Sequence, residues 1–77
     1  MTLDALPYTH EATITRIEWT SLSVRDARRL RELGFDEGVQ VQALHGGGLF
    51  ARDPLAVRVG RMTVAIRRAH AAAVTVD

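Results

Sequence analysis

Asp26-Ala27-Arg28-Arg29-Leu30-Arg31-Glu32-Leu33-Gly34-Phe35-Asp36-Glu37-Gly38-Val39-Gln40-Val41 is the stretch that decides the fold. Val24, Ala27, Leu30 and Leu33 recur at threes and predict an apolar helical stripe, while Arg25, Arg28, Arg29, Arg31 and Glu32 fill the rest of the surface. Ser23 stands ahead of Asp26 as a serine cap with an acid in the first turn, so the helix is expected to start near Val24. Gly34 follows the stripe where a left-handed residue closes a helix, and Phe35 supplies the apolar contact that accompanies such a cap. Asp36-Glu37-Gly38 then reads as a turn, and Val39, Val41 and Ala43 alternate with Gln40 and Gln42 as in a half-buried strand. A helix therefore feeds an antiparallel sheet, and Leu30, Leu33, Gly34, Phe35 and Gly38 have structural roles in that joint.

Upstream, Leu3, Leu6 and Pro7 form an apolar lead-in under the sheet. Glu11 to Trp19 reads as a first strand with Ala12 and Ile14 on one face and Thr13, Thr15 and Ile17 on the other, the misplaced Ile17 signalling a bulge or two covered faces. Trp19 closes that strand over one end of the core. Downstream, Leu44-His45-Gly46-Gly47-Gly48-Leu49 reads as a hairpin-like break. Leu55, Val57 and Val59 define the next strand, Gly60-Arg61 turns, and Met62, Val64 and Ile66 define another. These strands suggest a meander. Arg68 to Ala73 predicts about one helical turn, and Val74-Thr75-Val76 a last short strand. Five short strands and one inserted amphipathic helix point to a mainly β chain with small α+β content, forming a small antiparallel barrel whose closure protects its edges.

The chain has 77 residues, room for a single domain spanning 1–77 and for no large catalytic cleft. Its 47% hydrophobic and 25% charged composition is that of an ordinary globular protein. Ten arginines stand against nine acids, without lysine, for a net charge of +1, which argues against a dedicated nucleic-acid binder. The aromatics Tyr8, Trp19, Phe35 and Phe50 are too dispersed to suggest a single-strand stacking platform. With no cysteine there is no disulfide, thiolate metal site or cysteine nucleophile. Met1 to His10 does not read as a signal peptide, and no run approaches the roughly 20 apolar residues of a membrane helix. A cytoplasmic chain without direct membrane insertion is expected.

Catalytic parts are absent. Gly46-Gly47-Gly48 lacks the lysine and hydroxyl of a phosphate-binding loop, and the serines have no recognisable triad, so no enzymatic function is expected. His10, His45 and His70 are scattered without ligand spacing; with Glu11 they are only surface candidates for a transition metal, and no cofactor is expected. Arg16, Arg58, Arg61, Arg67 and Arg68 come from strands or their ends and form one possible patch for an acidic partner. The helix arginines Arg25, Arg28, Arg29 and Arg31 form an alternative. Leu49 and Phe50, in a glycine-flanked loop, are apolar anchor candidates. The edge strand Val74 to Val76 is the expected site of any homo-oligomer contact.

The run from Arg29 to Val41 resembles the RL-x-E-L-G-F-x-x-G-x-x-V signature of the ferrous iron transport protein A (FeoA) family. The likeness continues through Asp53-Pro54-Leu55, Ala56-Val57-Arg58-Val59 and Thr63-Val64-Ala65-Ile66-Arg67, from Leu3 to Val76. It departs where Tyr8-Thr9-His10 replaces a glycine turn, where glycines replace a proline-containing loop, and where His70 replaces an acid. The resemblance implies an SH3-like barrel. It further implies a cytoplasmic accessory that docks on FeoB, the membrane ferrous iron transporter with a cytosolic GTP-binding domain, and modulates it by protein–protein interaction. The alternative is an SH3-like interaction module similar to the C-terminal domain of iron-dependent repressors of the diphtheria toxin repressor type, although the recognition helix of those proteins has no counterpart here.

Overall fold

The computed structural model describes residues 1–46 and 53–77. A 3-10 turn, Leu3–Ala5, precedes β1 (Glu11–Ile17). A second 3-10 turn, Trp19–Ser21, leads into α1 (Val24–Glu32). Then follow β2 (Gln40–Gly46), β3 (Leu55–Val59), β4 (Met62–Ile66), α2 (Arg68–Ala71) and β5 (Val74–Val76). The strands form one antiparallel sheet in the order β4-β3-β2-β1-β5, so β2, β3 and β4 are the expected meander and β5 returns beside β1.

The helix–turn–strand joint is built as its residues require. Ser23 Oγ accepts the Asp26 N–H at 3.0 Å, satisfying one orphan donor of α1. At the other end the Gly34 N–H donates to Arg31 O and the Phe35 N–H to Leu30 O, both at 3.0 Å, a complete Schellman closure. Gly34 has φ +98°, and Gly38 repeats the device at +84°. The Gly38 N–H then reaches Ile14 O at 2.8 Å, sewing the turn to β1. Phe35 and Leu30, each 1% exposed, join Leu3, Ile14, Val41, Leu55, Val57, Val74 and Val76 in one buried cluster. No described side chain in that core is polar or charged.

Several expectations change. Val24 is 80% exposed, and only Ala27 and Leu30 of the stripe are fully buried. Strict spacing at threes rotates about 60° per step on a helix of 3.6 residues per turn, so Val24 and Leu33 fall on opposite faces. β1 ends at Ile17 rather than Trp19, because Trp19 opens a 3-10 turn; Trp19 still packs against the core. The register against β5 shifts between Ile14 and Arg16, which brings Ile17 inward. The break expected from Leu44 starts later: β2 continues through Gly46, paired with Leu55, across an irregularity between Ala43 and His45. Met62, grouped with Val64 and Ile66 as the strand's apolar set, is 52% exposed where it closes the β3–β4 hairpin opposite Val59.

The sheet is also not a closed hydrogen-bonded barrel. Among the described residues β4 and β5 do not pair. The two ends differ. The outer side of β5 carries the N-terminal residues, with a bridge between Thr2 and Thr75 and the Val76 N–H donating to Met1 O at 2.8 Å. The edge suspected of self-association is therefore occupied within the chain.

Candidate functional site

On the groove side of α1, Arg25, Arg28, Arg29 and Glu32 lie at i, i+3, i+4 and i+7, one continuous helical stripe. Facing them are Ala65 and Ile66 at the end of β4, Arg67, and His70 of α2. Between these walls runs an open groove of about 860 Å³, with Pro54 and the exposed Val24 also on its lining. His70 Nε2 lies 3.2 Å from Asp26 Oδ2, so the acid in the first turn of α1 also contacts α2. Glu32 and Asp26 are the groove's acids, leaving an excess of guanidinium charge. Arg67 Nη1 is 4.0 Å from Asp53 Oδ2, an exposed contact of little energetic weight.

The strand-derived arginines are distributed. Arg16 is on β1, ion-paired with Glu18. Arg58 is on β3 opposite Gln42 and Thr63, beside a small cavity of about 50 Å³ shared with Glu11. Arg61 lies in the β3–β4 turn. Arg68 is engaged within the fold: Nη1 donates to Asp4 O at 3.0 Å and Nη2 to Tyr8 Oη at 2.8 Å, tethering α2 to the N-terminal segment. Of that set only Arg67 joins the groove, alongside the helix arginines. Arg31 leaves their stripe and stacks over Trp19, 4.2 Å from the ring centroid. Spacing alone separates these roles, since Arg31 does not belong to the i, i+3, i+4, i+7 series. The apposition of α1 with β4 and α2 has no signal in the sequence.

His10 precedes β1 and is exposed, as is His45 on β2. Among the described residues no three histidine, aspartate or glutamate side chains gather as a metal site. Leu49 and Phe50 lie outside the described residues. No described helix is long and apolar enough to cross a membrane.

The family model for the FeoA domain matches residues 1–77. The chain is similar to Stenotrophomonas maltophilia FeoA complexed with zinc, an SH3 domain protein put forward as a ferrous iron transport activating factor. Identity is 39% over 100% of this chain and 89% of that one, with a TM-score of 0.79. It is similar to iron(II) transport protein A of Clostridium thermocellum at 25% identity and TM-score 0.85, over 100% of this chain and 44% of that one. A manganese-dependent transcriptional repressor shares the fold at 18% identity and TM-score 0.80, with 99% of this chain aligned to 40% of that one. No curated protein sequence matches the chain significantly.

Proposed function

The chain belongs to the FeoA family, and on that premise we propose that it is a cytoplasmic accessory of ferrous iron uptake, docking on a FeoB-type transporter and modulating it by protein–protein contact. The observation that carries the reading is the groove in which Arg25, Arg28 and Arg29 face Arg67. An open groove with clustered guanidinium groups suits recognition of a partner's carboxylates, because the planar fork binds them bidentately. Ferrous iron is the transporter's cargo in this scheme, and the chain acts on the transporter rather than on the ion.

The test is calorimetric titration of the chain into the cytosolic GTP-binding domain of the transporter from the same genome, with and without a GTP analogue. Saturable binding is expected, weakened about tenfold or more by the pair Arg28→Glu and Arg29→Glu and steeply by salt. Unchanged affinity in that pair would remove the groove from the docking face. No binding in any nucleotide state would remove this domain as the partner.

A further inference from the structure

We propose that the outer edge of β4 accepts an extended, acidic segment of a partner protein as an added strand. This deepens the docking reading by naming how the partner binds. The β3–β4 hairpin closes through Gly60-Arg61, and φ +58° at Gly60 suits the first central position of a type II′ turn. Its register is unbroken from Val59↔Met62 to Leu55↔Ile66. In a two-residue hairpin the closing pair exchanges both hydrogen bonds, so the alternation of the ladder turns the N–H and C=O of Thr63 and Ala65 away from β3. Both residues are exposed.

No described strand pairs with β4 on that side, whereas the opposite end of the sheet is occupied by Met1 and Thr2. Within the strand itself three usual protections of an edge are absent: Met62-Thr63-Val64-Ala65-Ile66 carries no charge and no proline, and its pairing with β3 has no bulge.

Charge selects the occupant. If two copies paired β4 to β4, the antiparallel register that uses the whole strand centres on Val64 and sets Arg61 opposite Arg67 at both ends. Like charges in directly opposed positions are destabilising. An acidic segment reverses that sign at both ends. Ala65 and Ile66 line the same groove as Arg25, Arg28 and Arg29, so a strand added there passes the α1 arginines. Its backbone bonds supply affinity and its alternate side chains supply selectivity.

The whole chain, labelled for amide NMR, is titrated with a short peptide alternating valine and glutamate. The expected result is salt-sensitive binding with the largest shifts and exchange protection at the Thr63 and Ala65 amides. N-methylation of alternate peptide amides in one phase should weaken binding about tenfold or more, and in the other phase leave it nearly unchanged. Equal tolerance of both phases would overturn strand addition, leaving attraction by charge alone. Tighter binding of an oligonucleotide of equal charge, or a dimer abolished by Ala65→Pro, would also overturn it. In the transporter titration, Ala65→Pro that stays folded and binds as tightly as the natural chain would reject the edge while leaving docking intact. Absence of transporter binding alongside phase-dependent peptide binding would reject that partner and keep the edge.

Discussion

Thr9 has φ +70°, a left-handed conformation that a β-branched residue adopts at a cost. Its backbone is held there by the bond from its N–H to Ala43 O at 2.6 Å and by Gln42 Nε2 donating to its carbonyl at 2.7 Å. Neither needs the threonine side chain, which is exposed. Thr9→Gly should therefore stabilise the fold: about 1–2 kcal/mol of relieved strain exceeds glycine's entropic penalty of roughly 0.5–1 kcal/mol. Gly34→Ala should act in the opposite sense, destabilising by about 1 kcal/mol. An added Cβ there meets nothing nearer than Val59 Cγ2 at 4.0 Å, so backbone conformation sets the cost. Urea midpoints measured at unchanged m-value check both signs. The comparison also explains what could be read at this scale. Gly34 announced its backbone by its place after an apolar stripe, whereas at Thr9 the one signal was that Tyr8-Thr9-His10 stands where the resembled family carries a glycine turn, because the partners that hold it, Gln42 and Ala43, lie far along the chain.

At the scale of the element, α1 separates burial from periodicity. Leu30 is 1% exposed and Val24 is 80% exposed, although both occupy the same numerical series. Leu30→Ala should cost about 2–5 kcal/mol through lost burial and a residual cavity. Val24→Ala should be neutral or slightly stabilising, because alanine is the better helix former. A similar loss in both would mean that Val24 is covered in solution. The helix, its cap and its glycine stop were readable because each depends on neighbours within a few positions. Element ends were harder. β2 outruns the apparent break at Leu44 because pairing of His45 with Ala56 and Gly46 with Leu55 overrides local glycine content. β1 stops before Trp19, whose ring instead receives Arg31 from α1. The groove was partly readable: the helix arginines were expected as one patch, of which Arg25, Arg28 and Arg29 line the groove while Arg31 turns to Trp19. Its opposite wall depends on where the sheet carries β4 and α2.

At the scale of the molecule, stability of roughly 0.05–0.15 kcal/mol per residue leaves a chain this short only about 4–12 kcal/mol in all. Long-range closures then decide how the sheet ends behave. The β5 end is held by a short strap: Leu3 is fully buried, and just before it Thr2 bridges to Thr75 while Met1 O accepts the Val76 N–H. On the other side of β5, the Asp77 N–H donates to Thr13 O at 3.1 Å, so this strand is flanked on both sides. Leu3→Ala removes the anchor and leaves the polar bonds of the strap to stand alone. We expect a stability loss of about 2–5 kcal/mol. The Val76 amide should also exchange much faster than global unfolding allows, while the β3 amides retain exchange governed by global stability. An uncovered β5 is an unpaired edge, so the variant should self-associate with rising concentration in sedimentation, where the natural chain does not do so through β5. Should Val76 in Leu3→Ala stay as protected as the β3 amides under folding conditions, the strap is fastened by its backbone bonds, and Leu3 serves the core alone.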